Sequence, residues 1–186
     1  MEFLKKYNNP KNFRYSSFEF ALFEAYKRNH KTLVETGVAR GKKKFFFFSK
    51  INWKDGMSTL IFSDYARYVN GNLTSCDINE KNVKNAKKFS KENKEFINFV
   101  VDDSINFLSN FNKKIDFLYL DSLDGQFEGA SKHQLEEIKM AKKYLHEQSL
   151  VLLDDKGDKT KLSIDYMLEN NFKILNETSE QVLLSY

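Results

Sequence analysis

Five short apolar runs, each closing on a carboxylate and each separated from the next by a helix-like segment, constrain this 186-residue chain more than any other feature. The runs are Thr32 to Thr36 (TLVET), Asn72 to Cys76 (NLTSC), Phe96 to Val101 (FINFVV), Ile115 to Leu120 (IDFLYL) and Ser149 to Leu153 (SLVLL). Their length and β-branched or aromatic content read as buried strands. Between them, Ser58 to Val69, Asn79 to Asn93, Ser104 to Phe111 and Lys132 to Leu145 carry apolar residues at helical spacing, as Leu135, Ile138, Ala141 and Leu145 do in the last. Strands alternating with helices require crossover connections and hence a mostly parallel sheet covered on both faces. The fold class is therefore α/β.

A leading helix is expected over Ser16 to His30, with Ser16 and Ser17 as caps, and a last one near Leu162 to Glu169. Phe172 to Asn176 and Gln181 to Tyr186 then read as two further strands. The turn between them is too short for a crossover, so they pair antiparallel. The expected architecture is a three-layer Rossmann-like sandwich on a seven-stranded sheet with a C-terminal antiparallel hairpin. Pro10 is the only proline and no linker or repeat appears, so residues 1–186 read as one domain, with a helical segment over 1–31 and an insertion over 42–55.

In an open parallel sheet, ligands bind beyond the carboxyl ends of the strands. Those ends carry Glu35, Asp77, Asp102 with Asp103, Asp121, and Asp154 with Asp155. Here the residues resemble class I S-adenosylmethionine-dependent methyltransferases from about Thr32 to Tyr186. VETGVARG (Val34 to Gly41) resembles the family's first motif, although Ala39 stands at its usual middle glycine, and GMST (Gly56 to Thr59) follows only after the insertion. LTSCDIN (Leu73 to Asn79) resembles the second motif, VVDDSINFL (Val100 to Leu108) the third and IDFLYLDS (Ile115 to Ser122) the fourth.

The resemblance implies cofactor contacts from Glu35, Gly37, Gly41, Gly56, Ser58, Asp77, Asp103 and Asp121. Asp77 would accept from both ribose hydroxyls and Asp103 from the adenine amino group. It is nearest to small metal-dependent O-methyltransferases, in which an Asp after the fourth strand and an acid pair after the fifth bind Mg²⁺ or another divalent cation. Asp121, Asp154 and Asp155 match those places. Carboxylate oxygens suit such ions, which ease loss of a substrate proton. The other reading of Asp154 and Asp155 is the start of a polar loop with Lys156, Gly157 and Asp158. Asp124 and His133 are the candidates for general base, His133 having the ring whose pKa suits the task; it also fits an exposed first turn of its helix.

Other classes fit less well. A nicotinamide-dependent oxidoreductase places its ribose acid about 20 residues beyond the glycines, whereas Asp77 lies 40 beyond Gly37. A base-flipping nucleic-acid enzyme of this family carries an Asn or Asp before two prolines after the fourth strand, unlike LDSLDG (Leu120 to Gly125). A non-catalytic scaffold of the same fold is a further alternative. The 30 Lys and Arg against 26 Asp and Glu are spread along the chain rather than clustered, which disfavours nucleic-acid binding. Cys76, the only cysteine, allows no internal disulfide and reads as a packed strand residue. No membrane-spanning run or signal-peptide core appears. The expected setting is the cytoplasm, the expected partner a small-molecule acceptor such as a sugar or catechol-like compound, with a homo-oligomer to complete so small a chain. Trp53 and Phe45 to Phe48 of the insertion fit either a lid or an extra packed segment.

Overall fold

The computed structural model describes residues 1–45 and 48–186, with side chains described outside 42–50 and 55. Seven strands form one sheet: β1 (Thr32–Thr36), β4 (Asn72–Asp77), β5 (Ile97–Val101), β6 (Phe117–Leu120), β7 (Leu150–Asp154), β8 (Lys173–Glu177) and β9 (Gln181–Ser185). Their spatial order is β5, β4, β1, β6, β7, β9, β8. The first five run parallel, and β9 lies antiparallel to both β7 and β8. The chain winds outward from β1 to β5 and then returns to β6 on the other side of β1. That reversal makes β1 and β6 the flanks of a switch point, where crossovers leave in opposite directions and a crevice opens.

Alternation along the strands explains the two layers that cover the sheet. Leu33, Phe117, Tyr119, Leu150, Leu152 and Leu183 enter one core with Phe18, Leu22, Ile61 and Phe62. Val34, Leu118, Leu120, Val151, Leu153, Val182 and Leu184 enter the other with Leu108, Ile138, Ala141 and Met167. Successive side chains point to opposite faces, so a strand buried on both sides reads as a continuous apolar run. The first layer holds α1 (Tyr15–Lys27) and α2 (Ser58–Tyr68), and the second holds α5 (Ala130–Ala141) and α6 (Asp158–Glu169). The two remaining helices are α3 (Glu80–Phe89) and α4 (Ser104–Ser109).

Three boundaries differ from the sequence reading for identifiable reasons. Helix α1 starts at Tyr15 with no side-chain cap, so Ser16 and Ser17 lie inside its first turn, where Ser17 Oγ sits within hydrogen-bond reach of the Arg14 carbonyl and of Gln181 Oε1 of β9. Helix α5 starts at Ala130, just after Gly129 at φ +83°, and α6 starts at Asp158, after Gly157 at φ +140°. Within the insertion, β2 (Lys42–Phe45) and β3 (Phe48–Ile51) pair antiparallel as a separate hairpin. Trp53 follows in a single 3-10 turn and packs against the first core, as a packed segment does. The side chains of Phe45 to Phe48 lie outside the described residues.

Candidate functional site

The strand ends of β1, β4 and β6 meet around a cleft of about 230 Å³, lined by Gly37 to Arg40, Asp77 to Asn79, Asn82, Asp121 to Asp124 and Phe127. Gly37 is the residue that allows β1 and β6 to come so close. It sits at φ +80°, and a Cβ there would lie 2.1 Å from the Asp121 carbonyl oxygen. Only glycine accepts both the left-handed backbone and that contact. The Gly37 amide donates to the Cys76 carbonyl at 2.8 Å, tying the loop to β4 as well.

Asp77 ends β4 beside this loop. Its Oδ2 accepts from the Val38 amide at 3.1 Å and its Oδ1 from the Asn79 amide at 2.7 Å, with Asn82 Nδ2 reaching Oδ2 at 3.2 Å. These donors fix the carboxylate while leaving acceptor capacity toward the cleft, since an ionised carboxylate has about four acceptor sites. Ile78 is 72% exposed and Phe127 53% exposed, and both line the cleft. An acid beside apolar walls suits a nucleoside, whose ribose presents adjacent hydroxyls and whose base presents a flat face. Sequence reasoning missed Ile78 and Phe127. An apolar residue directly after the strand-end acid was the available signal for Ile78.

Glu35 lies beneath the loop rather than in the cleft. It is fully buried and accepts from Ser58 Oγ at 2.5 Å, from Thr59 Oγ1 at 2.8 Å and from Ser75 Oγ. Burial pushes its carboxyl up to about 7, against the downward pull of the three hydroxyls. Thr59 Oγ1 in turn accepts from the Ala39 amide at 2.8 Å. Glu35 therefore positions the glycine loop through Thr59, and Ser58 serves the same buried acid. Both were expected to contact the cofactor; in the structure both are buried and engaged with each other rather than lining the cleft.

Other expected positions also lie apart from the cleft. Gly41, at φ +70°, faces the Phe89 ring, which a Cβ would meet at 2.2 Å, so its role is close packing against α3. Gly56, at φ +68°, closes the 3-10 turn against Arg14 and Phe18. Asp103 caps α4, its Oδ1 accepting from the Ile105 and Asn106 amides at 3.0 Å each. His133 does not stand as a base at the cleft. Its Nε2 meets Ser104 Oγ at 3.0 Å and lies 3.9 Å from the buried Glu137, between α4 and α5. Cys76 is buried and its thiol donates to the Asp102 carbonyl at 3.4 Å; burial pushes its pKa up to about 12, as expected of a packed residue.

A second cleft of about 560 Å³ adjoins the first and shares Arg40 and Asp124 with it. Gly125, Gln126, Asp155, Lys156, Asp158, Lys159, Ser179 and Glu180 complete its lining. Asp124 thus stands where the two clefts meet.

Asp121, Asp154 and Asp155 do converge, with one carboxylate oxygen of each within 4.8 Å of the others. Cations of the chain already engage all three. Arg14 donates from Nε and Nη2 to the two oxygens of Asp154 at 2.6 and 2.8 Å, and from Nη2 to Asp155 Oδ1 at 2.9 Å. Gln181 Nε2 adds a further donor to Asp154 at 2.7 Å. Lys159 Nζ lies 3.4 Å from Asp121 Oδ1 and 3.3 Å from Asp155 Oδ2, and Asp155 Oδ2 also accepts from the Gly125 amide at 2.9 Å. Burial alone would raise the Asp154 carboxyl, but the Arg14 hydrogen bonds outweigh it and hold the group below the usual range. Burial and the neighbouring Asp154 charge push Asp121 well above that range. Burial would lower the Lys159 pKa, yet the acids around it raise it, so the ammonium stays charged. Cations of the chain thus engage an oxygen of each acid, and a divalent ion would have to displace them, so this donor set does not fit a metal centre. Lys159, four residues after Asp155, was legible as a helical ion pair; Arg14, 140 residues from Asp154, carried no local signal.

The family model described as a methyltransferase domain matches residues 53–156, more than half of the chain. The chain belongs to that family. It is a class I S-adenosylmethionine-dependent methyltransferase, and the glycine loop of Gly37 to Gly41 precedes the matched stretch. No curated protein is matched by the sequence. Among solved structures, the S-adenosylhomocysteine-bound methyltransferase PaMTH1 of Podospora anserina is similar at 12% identity and a TM-score of 0.67, covering 100% of this chain and 85% of that one. The O-methyltransferase NovP is similar at 10% identity and a TM-score of 0.65, covering 91% of this chain and 78% of that one. A putative rRNA methylase of Clostridium thermocellum is similar at 13% identity and a TM-score of 0.64, covering 95% and 98%. At these identities the likeness is one of fold. Among the described residues, no helix is long and apolar enough to cross a membrane.

Proposed function

We propose that the enzyme transfers a methyl group from S-adenosylmethionine, held in the 230 Å³ cleft, to a hydroxyl of a small polar molecule held in the 560 Å³ cleft. The observation that carries the reading is the junction of the two clefts at Asp124 and Arg40. Asp77 accepts from the ribose hydroxyls, Ile78 and Phe127 flank the base, and the backbone of Gly37 to Ala39 approaches the methionine part. When bound, the cofactor supplies an electrophilic methyl on a sulfonium, whose thioether leaves neutral and needs no acid.

The protein must therefore orient the acceptor oxygen in line with the methyl and take its proton. Asp124 is the acid at the junction and receives that proton. Holding both partners at fixed separation supplies much of the acceleration. The larger cleft sets Arg40, Lys156 and Lys159 against Asp124, Asp155, Asp158 and Glu180. A balanced lining supports a neutral polar acceptor over a nucleic acid, whose phosphates call for a basic surface. The test uses methyl-labelled S-adenosylmethionine offered with a panel of sugars and phenols and, separately, with ribosomal RNA. Label in a small-molecule product supports the reading. Label confined to RNA overturns it.

A further inference from the structure

We infer that the acid cluster at the ends of β6 and β7 is a cation site filled permanently by the chain itself, with Lys159 and Arg14 standing where a divalent metal would sit. The inference rests on the methyltransferase reading only for its setting beside the acceptor cleft; the cation claim concerns these residues alone. Three carboxylates converge, and each meets a cation of the chain within 3.4 Å. Asp154 is fully buried, and both of its oxygens accept from the Arg14 guanidinium in a fork that matches carboxylate geometry. The Lys159 side chain is 2% exposed, so its ammonium is committed to Asp121 and Asp155 rather than to solvent.

A magnesium ion demands about six oxygen ligands near 2.0–2.1 Å. To enter, it would have to expel the Lys159 ammonium from two acids and strip Asp154 of three hydrogen bonds from Arg14 and Gln181. The chain's arrangement gives two fixed charges without a dissociable ion, and one of them, Lys159, lines the acceptor cleft. Lys159 thereby holds Asp121 and Asp155 in place at the wall between the two clefts.

The test is electron paramagnetic resonance of Mn²⁺ titrated into the full chain, beside the variants Lys159→Ala and Lys159→Met. The wild type is expected to show no saturable binding at millimolar Mn²⁺, and Lys159→Ala to bind at least tenfold more tightly than wild type because Asp121 loses its cation and Asp155 keeps only Arg14. Lys159→Met keeps the length of the buried stem and serves as the folded comparison if the alanine variant melts early. One Mn²⁺ per wild-type chain, lost in Asp155→Asn, would overturn the inference. So would two folded Lys159 variants that bind Mn²⁺ no better than wild type. Calorimetry with S-adenosylhomocysteine in chelator, on the same preparations, separates the two ideas: absent binding there refutes the methyltransferase reading and leaves the Mn²⁺ result to decide the cation site.

Discussion

Replacing Glu35 by Gln should make the protein more stable at alkaline pH and leave it nearly unchanged at acid pH, the reverse of what removal of a paired carboxylate does. In the folded chain the carboxyl titrates at about 7, whereas the ordinary value is 4.5, because burial disfavours the ionised form. Between those values the folded state binds the proton and the unfolded state does not. Stability from this group is therefore complete below about pH 4.5 and is lost as pH rises through about 7. At about 1.4 kcal/mol per pH unit the loss amounts to about 3 kcal/mol. Gln cannot ionise and resembles the protonated acid in shape, so the three hydroxyls of Ser58, Thr59 and Ser75 can keep a partner.

His30 opposes this trend. Burial lowers its pKa to about 4, so its contribution is present above the ordinary 6.5 and is lost as pH falls. The wild-type profile mixes both slopes, and only the difference between wild type and Glu35→Gln isolates Glu35. Urea unfolding of both proteins at pH 5 and pH 8 measures it. Gln is expected to lead by about 1 kcal/mol at pH 5 and by about 3 kcal/mol at pH 8. A difference independent of pH, or a wild type that gains on the variant as pH rises, would refute the assignment of Glu35 as a buried, internally satisfied acid.

Two further outcomes follow from the same geometry. Gly37→Ala places a Cβ 2.1 Å from the Asp121 carbonyl in a left-handed backbone; it should cost about 2 kcal/mol in thermal unfolding and abolish S-adenosylhomocysteine binding in calorimetry. Arg14→Met leaves Asp154 buried without its cation, so chemical denaturation near pH 7 should show a loss of roughly 3–5 kcal/mol. Because Asp154 titrates below its usual range in the wild type, that loss should shrink as pH falls through the ordinary carboxylate range.

The sheet was legible because its strands are buried on both faces and therefore appear as uninterrupted apolar runs, and because Asp77 and Asp121 sit directly where those runs stop. The C-terminal pair was legible from the shortness of its turn. Roles that depend on depth were not. Glu35 and Asp77 look alike as strand-end acids, yet one is buried against hydroxyls of α2 and β4 while the other borders the cleft. The surroundings of His133 and Asp103, between α4 and α5 and at the start of α4, were not legible for the same reason: which side of a helix start faces the crevice depends on crossover geometry, not on spacing. The acid cluster was legible as a trio but not as a filled one, since its partner Arg14 enters from the far end of the sequence. The hairpin of β2 and β3 had no signal beyond its position as an insertion.

The central claim is that the cleft at the β1–β6 switch point binds S-adenosylmethionine through Asp77. Isothermal titration of the full chain with S-adenosylmethionine and with NAD, for wild type and Asp77→Ala, tests it most directly. The account predicts saturable binding of one S-adenosylmethionine per chain, weak or no binding of NAD, and at least a hundredfold loss of affinity in a folded Asp77→Ala. Tighter binding of NAD, or an Asp77→Ala variant that binds S-adenosylmethionine as well as wild type does, would contradict it.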